Sequence, residues 1–326
     1  MASEPVDVSF VVPTYNRPDF LAEAINSIVA QSRPPREIIV VDNGTDDRTA
    51  AIVASFGARV QLVRSKQGSV QIARNTGFAT ATSTWVATLD DDDLLHPTYL
   101  EAAEPLMADP GIDIVSSDHR KFRDGIFENE TNFGYAPPGY WDRVPQEPRG
   151  DDRVFVGRFP LANLLQRIPV YPSTTIIRRD FANRIGCYDD RMRGIPAEDI
   201  EFLVRALTYG NLGLVMKPLL DYRLHGGNDS AGYVDQAIGR WRIFEFVRRF
   251  HKDLPDDFVL ALDADLPERR RDLYKTGFRT GNRALMDEIA PLLRNSDWTP
   301  ALLARRLIAH APRPVARRMR FGAAEA

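Results

Sequence analysis

The amino-acid sequence predicts an α/β fold, in which a mainly parallel central sheet is flanked by helices and followed by a helical C-terminal extension. Short apolar runs alternate with amphipathic helical patterns through the first third of the chain, and the β-type patterns stop near Ser230. The apolar runs are almost continuous, which is typical of strands that are covered by helices on both faces. Alternation of such strands with helices predicts a parallel sheet.

The first strands and helices follow from local patterns. A helix is predicted over Asp19–Gln31, where Leu21, Ala24, Ile25 and Ile28 share one face, and another over residues 45–57, which ends at Gly57. The predicted strands of this region are Val8–Val12, Glu37–Asp42, Arg59–Val63, Trp85–Leu89 and Asp113–Ser117.

The middle of the chain is less regular. Residues 118–172 are rich in Gly, Pro, aromatic and charged residues, and long irregular segments of this kind often form functional lids or binding loops. A strand at Tyr171–Arg179, a helix at Ala197–Gly210 and a strand pair at Leu212–Met216 and Leu219–His225 follow. We therefore expect one domain over residues 1–230, with halves at about 6–117 and 118–230, and a helical extension over 231–326.

Composition sets limits on function and location. The formal net charge of −3 on 326 residues gives no general attraction to nucleic acid, so no nucleic-acid partner is expected. The single cysteine, Cys187, cannot form an internal disulfide, and the N-terminus lacks a secretory signal pattern. No apolar run approaches the length of a membrane span. These features predict a cytoplasmic protein.

Four polar segments follow the predicted strands. Because ligands of open α/β sheets bind at the carboxyl ends of the strands, these segments should converge on one ligand-binding edge. They are Pro13–Arg17, Asp42–Asp47, Ser65–Gly68 and Asp90–Asp93.

The run Asp90–Asp93 suggests a divalent-metal site, because Mg²⁺ and Mn²⁺ prefer oxygen ligands and often bind through one or two carboxylates together with substrate phosphates. In an extended segment Asp90 and Asp92 would face the same side. The alternative is a solvated loop in which Asp93 or Asp92 caps the helix that begins near Pro97.

Three other side chains at this edge offer ligand chemistry. Tyr15 provides an aromatic face, Asp42 a carboxylate and Arg74 a planar fork of donors. Each also has a structural explanation: packing for Tyr15, turn formation for Asp42 and a surface charge for Arg74. Their convergence with the aspartates favours the functional interpretation.

Four segments in order resemble the family 2 glycosyltransferases, which have the GT-A (nucleotide-diphospho-sugar transferase) fold. These segments are VVPTYNRPDFLAEAINSIVAQ, EIIVVDNGTDD, ARNTGFATATSTWVATLDDDDLLHP and EDIEFLVRAL, and the resemblance extends over about Val8–Ser230. The resemblance implies that Pro13, Thr14 and Tyr15 line the nucleobase pocket, that Asp42 binds the base and that Arg74 contacts the nucleotide.

The resemblance also assigns the acidic residues. It places the D-x-D motif at Asp90–Asp91–Asp92, with Asp92 as the direct metal ligand and Asp90 or Asp91 facing the ribose or a metal-bound water, although four aspartates leave the frame open by one residue. His225 corresponds to a histidine that approaches the metal or the diphosphate. Glu198 and Asp199 match an acidic pair below the acceptor site, Asp199 as general base and Glu198 as the residue that orients the acceptor; alternatively, both favour a helix N-terminus.

The expected function is that of a metal-dependent, inverting glycosyltransferase that uses Mn²⁺ or Mg²⁺. It would move a sugar from a nucleotide-diphosphate donor, by default a UDP-sugar, to a hydroxyl group of a glycan, lipid-linked or small-molecule acceptor. A nucleotidyltransferase and a non-catalytic nucleotide-sugar-binding protein are the alternatives. A dinucleotide-linked oxidoreductase is disfavoured because no G-x-G-x-x-G follows the first strand.

The C-terminal segment Leu302–Gly322 raises a separate question. Its arginines lie among apolar residues, as in a basic amphipathic segment that contacts the inner face of an anionic membrane, or in a terminal helix that packs on its own domain. We favour the second interpretation. Formation of a homodimer by the chain is a separate hypothesis. The arginines are Arg305, Arg306, Arg313, Arg317, Arg318 and Arg320.

Overall fold

The computed structural model describes residues 4–65, 68–226 and 232–311. The chain divides into two compact units, residues 1–231 and 232–326. The domain boundary that the sequence predicts at Ser230 falls outside the described residues, so the division into domains at that point stays a prediction.

The first unit is an α/β structure with one mixed sheet, and it confirms the predicted fold class. Its strands are β1 (Val6–Thr14), β2 (Pro35–Asp42), β3 (Val60–Arg64), β4 (Trp85–Thr88), β5 (Leu94–Leu95), β6 (Ile114–Arg123), β7 (Ile126–Phe127), β8 (Glu147–Pro148), β9 (Arg153–Gly157), β10 (Thr175–Arg178) and β11 (Leu212–Arg223). Its helices are α1 (Pro18–Val29), α2 (Arg48–Ser55), α3 (Val70–Thr80), α4 (Tyr99–Met107), α5 (Arg179–Ile185) and α6 (Asp199–Tyr209).

The order of the strands separates a parallel half from a mixed half. Across the sheet the order is β3-β2-β1-β4-β10-β6-β11-β9-β8, with β5 paired to β11 and β7 to β6. Strands β3, β2, β1 and β4 are mutually parallel, and β6 is parallel to β11. Strand β10 runs antiparallel to both β4 and β6. The carboxyl ends of β1, β2 and β4 therefore lie along one edge.

The core explains the sequence pattern. In β1 the consecutive residues Phe10, Val11 and Val12 are all fully buried, so both faces of this strand are covered. The predicted stripe of α1 is also fully buried. Burying each such side chain contributes about 1.5–3 kcal/mol, which accounts for the continuous apolar runs.

Two expectations for the middle of the chain are wrong. The pair of strands predicted at 212–225 is the single strand β11, which passes through Pro218 at a register irregularity where its missing N–H is tolerated. The segment 118–172 is also not wholly irregular, because it contains the end of β6 as well as β7, β8 and β9. The end of β6 and strand β9 pair with the distant β11, whereas β7 and β8 pair with the neighbouring β6 and β9. The local pattern does not reveal these hydrogen bonds.

The second unit is helical, which confirms the predicted C-terminal extension. It contains α7 (Tyr233–Phe250), α8 (Asp256–Thr280), α9 (Arg283–Ile289) and α10 (Pro300–His310). Its buried residues include Trp241, Phe244, Phe258 and Tyr274. Within the described part of the chain, no helix is both long and apolar enough to cross a membrane. Residues 312–322 of the basic segment lie outside that part.

Candidate active site

The loops after β1 and β2 are joined by one asparagine side chain. Asn16 has a left-handed backbone conformation (φ 53°), which asparagine tolerates better than most residues. Its Oδ1 accepts hydrogen bonds from the backbone N–H groups of Thr45, at 2.7 Å, and of Asp46, at 3.0 Å. The two loops therefore form one continuous surface at the carboxyl edge of the sheet, as the strand pattern predicts.

The acidic run forms a turn rather than an extended segment. The backbone N–H of Asp93 donates to the carbonyl oxygen of Asp90, at 3.2 Å. The expectation that Asp90 and Asp92 share one side is therefore wrong for this conformation. Each carboxyl group of the turn contacts a different set of partners.

Asp92 lies between two nitrogen-bearing side chains. Its Oδ2 accepts a hydrogen bond from an Arg17 guanidinium nitrogen at 2.9 Å and lies 3.0 Å from His225 Nε2. The Asp92 side chain is 8% exposed and that of His225 19%. The structure thus brings together Asp92 and His225, two of the three residues expected at the metal, the third being Asp90.

Asp91 faces the end of β1. Its Oδ2 accepts a hydrogen bond from Thr14 Oγ1 at 2.6 Å, and its Oδ1 lies 3.5 Å from the guanidinium of Arg17. Burial raises the pKa of Asp91 to about 7, the bond from Thr14 opposes this shift, and the neighbouring charge of Asp92 adds to it. Additional positive charge here would favour the ionised form.

Asp93 does not cap a helix. Helix α4 begins at Tyr99 after Thr98, whereas the Asp93 carboxylate accepts a hydrogen bond from the backbone N–H of Arg223 at 3.1 Å. Burial and the charges of its neighbouring aspartates raise the pKa of Asp93 well above its ordinary value. Asp93 therefore ties the acidic turn to β11, which corrects the predicted capping role.

Arg74 joins the acidic turn to the start of α6. Its guanidinium donates to Asp90 Oδ1 at 2.7 Å and to Glu198 Oε1 at 3.3 Å, and it lies 5.2 Å from the centre of the Tyr188 ring. Burial lowers the pKa of Arg74, but the charge of Asp90 and its other anionic neighbours raise it overall. Arg74 is a buried connector between carboxylates, so the surface-charge alternative is wrong.

The acidic pair lies at the beginning of α6. Glu198 occupies the position just before the helix, and its side chain makes no capping hydrogen bond. Asp199 is the first residue of the helix. Burial, followed by the charge of Asp199, raises the pKa of Glu198 to about 7. Asp199 also lines a pocket with Tyr171, Tyr188 and other apolar residues. The carboxylate of Glu198 is thus held by Arg74, and Asp199 is among the residues that line a pocket.

The predicted base-binding residues lie at the ends of β1 and β2. Pro13 is buried within β1, and Tyr15 beyond its end is 56% exposed. The Asp42 carboxylate accepts hydrogen bonds from Arg64 at 2.6 Å and from the backbone N–H of Gly44 at 2.8 Å. Of the neighbouring segment Ser65–Gly68, Lys66 and Gln67 lie outside the described residues.

Sequence reasoning missed three arginines of this region, namely Arg17, Arg64 and Arg223. Arg17 and Arg64 each stand at or just beyond the end of a predicted strand on the ligand edge, and that position is a signal that could have found them. Arg223 gave no such signal, because its partners are distant in the sequence: Asp93 is 130 positions away and Asp92 is 131 positions away.

The donor atoms present are suited to a divalent cation. Asp92 Oδ2 and His225 Nε2 are a carboxylate oxygen and an imidazole nitrogen 3.0 Å apart, and the guanidinium of Arg17 shows that a positive group fits beside them. Over residues 4–65, 68–226 and 232–311, no group of three or more His, Cys, Asp or Glu side chains is arranged to hold a metal ion. The protein would therefore supply two ligands, which is common when substrate phosphates contribute the others.

Comparison with known proteins finds sequence similarity over the first half of the chain. Residues 9–162 match the family model described as "Glycosyl transferase family 2". The succinoglycan biosynthesis protein ExoO of Rhizobium meliloti strain 1021 is 32% identical over 183 residues, which cover 46% of this chain and 53% of that protein. The uncharacterised glycosyltransferase EpsJ of Bacillus subtilis strain 168 is 32% identical over 125 residues, or 35% of this chain and 36% of EpsJ. The matched region thus spans about half of ExoO and about a third of EpsJ.

The fold also matches a solved structure. S. aureus TarS 1-349 in complex with UDP-GlcNAc superposes with a TM-score of 0.60 at 19% identity, over 97% of this chain and 92% of that one. At this identity the match concerns the fold, and it confirms the GT-A fold expected from the sequence.

Proposed function

We propose that this chain, whose residues 9–162 match the model of glycosyl transferase family 2, transfers a sugar from a nucleoside-diphosphate donor to a hydroxyl group of an acceptor. The observation that carries the proposal is the connection made by the turn Asp90–Asp93. Through Asp92 the turn contacts His225, and through Asp90 and Arg74 it reaches Glu198. A group suited to a metal-bound diphosphate is thereby linked to an acidic pair suited to proton transfer.

The donor would lie along the ends of β1 and β2. Tyr15 offers an exposed aromatic face for the base, and the preceding residue, Thr14, pairs with Asp42 in the sheet. The complex of TarS with UDP-GlcNAc, which shares this fold, supports a UDP-sugar as the first donor to examine. GDP- and dTDP-sugars are the alternatives, because the residues at this edge do not specify one base.

The diphosphate would be bound with Mn²⁺ or Mg²⁺, which neutralises the negative charge that develops on this leaving group. Asp92 and His225 would hold the cation, with Asp91 beside them as a further negative charge. Asp90 is engaged by Arg74, so we assign it to positioning Arg74 rather than to the metal. His225 would bind as neutral imidazole.

The transfer would be a single displacement with inversion. The acceptor oxygen forms a bond to the anomeric carbon as the bond from that carbon to the diphosphate oxygen breaks, and the nucleoside diphosphate leaves with the bonding electrons. Asp199 takes the proton of the acceptor hydroxyl, while Glu198, held by Arg74, fixes the position of the pair. The residues lining the pocket beside Asp199 would contact the acceptor.

A thermal-shift screen of UDP-, GDP- and dTDP-sugars with and without Mn²⁺ tests this function. One donor should raise the melting temperature more than the others and should do so more strongly with Mn²⁺, because a ligand at about 100 times its Kd adds about 2.7 kcal/mol of stability. Product analysis of the best donor should show release of the nucleoside diphosphate. Release of pyrophosphate would instead indicate a nucleotidyltransferase, and binding without hydrolysis or transfer across an acceptor panel would indicate a binding protein.

A further inference from the structure

Arg17 lies at the position where the polypeptide leaves β1 and enters α1. It follows Asn16, whose side chain fixes the loop through Thr45 and Asp46, and it immediately precedes the first residue of α1. The backbone around Arg17 is therefore held on both sides. This arrangement directs a long cationic side chain from the end of β1 across to the turn after β4.

The guanidinium of Arg17 contacts both central carboxylates of the acidic turn. One of its nitrogens lies 2.9 Å from Asp92 Oδ2 and 3.5 Å from Asp91 Oδ1. The carboxylates are 8% and 5% exposed, whereas the Arg17 side chain is 29% exposed. When both are ionised, two adjacent carboxylates with so little contact with water repel each other, and a positive charge close by offsets this repulsion. Arg17 supplies that charge.

The same carboxylate oxygen is the one that faces His225. Asp92 Oδ2 lies within hydrogen-bond distance of both the Arg17 guanidinium and His225 Nε2. A cation bound to this oxygen and to the imidazole would lie close to the guanidinium nitrogen, and like charges at such a distance repel. Arg17 and a divalent cation therefore compete for Asp92.

We propose that Arg17 is an internal counterion of the acidic turn, which stabilises Asp91 and Asp92 before the metal binds and which the metal displaces from Asp92. This inference rests on the metal-binding part of the proposed function. It assigns to Arg17 a role in setting the metal affinity of the site, because the cation must displace the Arg17 guanidinium from Asp92 in order to bind. Removal of the guanidinium should strengthen metal binding and lower the stability of the metal-free protein.

The test is a titration of the full chain with Mn²⁺ alone, followed by the electron paramagnetic resonance signal of the free ion. Arg17→Met should bind Mn²⁺ about tenfold more tightly than the unaltered protein, as expected when a unit charge close to the site is removed. Arg36→Met is the matched control. Arg36 lies at the start of β2 and pairs with Asp7 of β1, and its loss changes the net charge equally. Its Mn²⁺ affinity should stay unchanged.

A second measurement separates competition from a general structural effect. Without metal, Arg17→Met should melt at a lower temperature than the unaltered protein, and saturating Mn²⁺ should raise its melting temperature more. In an Asp91→Asn background the gain in affinity from Arg17→Met should shrink, because one of the two carboxylates that need a counterion has lost its charge. If Arg17→Met alone does not fold, the Mn²⁺ affinity of this double variant is compared with that of Asp91→Asn and tests the same competition.

Equal or weaker Mn²⁺ binding by Arg17→Met would overturn the inference, as would the same gain in Arg36→Met. The predicted order of affinities together with no sugar transfer from any donor would support the counterion role and reject the glycosyltransferase assignment. Transfer that needs no metal, together with no gain in Arg17→Met, would reject the inference and leave the transfer activity standing.

Discussion

Single carboxylates of the acidic turn differ in their surroundings although they are adjacent in sequence. Asp90 contacts Arg74, Asp91 contacts Thr14, Asp92 contacts His225 and Asp93 contacts the backbone of Arg223. The turn is therefore held by partners from α3, from β1, and from β11 with the residues that directly follow it. Each aspartate can be substituted to test one connection of the site.

Substitution of Asp92 and of Asp199 should separate donor binding from proton transfer. We expect Asp92→Ala and Asp199→Asn both to reduce sugar transfer by about 10²–10⁴-fold, since each removes one part of the chemistry. Only Asp92→Ala should strongly weaken the Mn²⁺-dependent binding of the nucleotide, measured by calorimetry. Turnover of Asp199→Asn at the rate of the unaltered enzyme would exclude Asp199 as the base.

Glu198 should make stability depend on pH. Because its pKa is raised from 4.5 to about 7, the folded protein binds more protons than the unfolded chain between these values, and its contribution to stability falls as the pH rises through them. Glu198→Gln should therefore stabilise the protein at pH 8 by about 1–3 kcal/mol and change it little at pH 4.5. Urea unfolding at the two pH values measures this difference.

The control for that experiment is Glu268→Gln, since Glu268 is exposed on α8 in the second unit. Its effect on the free energy of unfolding should be small, because its side chain is exposed. If the effect of Glu198→Gln depends on pH no more than that of this control, the raised pKa of the Glu198 carboxyl is contradicted.

At the level of elements, α3 is positioned by its close approach to β1. A Cβ atom at Gly77 would lie 2.2 Å from Val11 Cγ1, far inside van der Waals contact, so only glycine allows this packing. Arg74 lies one turn earlier on the same helix and depends on this position to reach Asp90. The spacing between helix and strand therefore determines the geometry of the site.

Gly77→Ala should destabilise the protein by about 1–3 kcal/mol, the usual effect of overpacking a core. Thermal unfolding measures the loss, and donor binding should weaken as well because Arg74 is shifted. The double variant Val11→Ala/Gly77→Ala should lose less than the sum of the single variants, since the smaller side chain relieves the clash. Additive losses would show that the contact with Val11 is not the cause.

Much of the element pattern could be predicted from the sequence because it is local. The strands from β1 to β4 and the buried stripe of α1 follow from apolar periodicity. The continuity of β11 through Pro218 and the strand at the end of β6 could not be predicted. Both depend on the pairing of β6 with β11, which are far apart in the chain, so their hydrogen bonds leave no local pattern.

At the level of the whole molecule, the residues of the candidate site all belong to the first unit, while the second unit has a core of its own. Fully buried Phe244 and Phe258 lie in α7 and α8, and Glu245 pairs with Arg270 at 2.6 Å. The second unit is therefore stabilised by contacts among its own helices.

Phe258→Ala tests this separation. It should destabilise the second unit by about 3–5 kcal/mol, because truncation of a buried Phe leaves a cavity. The Kd of the nucleotide donor, measured well below the melting temperature, should stay unchanged. Leu260→Ala is the control for the same helix, since Leu260 is 70% exposed and its loss should alter neither quantity. A weakened donor affinity in Phe258→Ala alone would show that the second unit supports the site.

The sequence by itself determined the fold class, the edge of the sheet where the polar loops lie, and the acidic and aromatic residues offered there, since these follow from periodicity and from residues next to strand ends. The tertiary structure alone decided that the acidic run is a turn, that Arg74 joins Asp90 to Glu198, and that Arg17 and His225 meet at Asp92. The side-chain contacts among these join residues 16 to 133 positions apart. They are set by the order of strands in the sheet, and burial at that edge then raises the pKa of Asp91 and of Asp93.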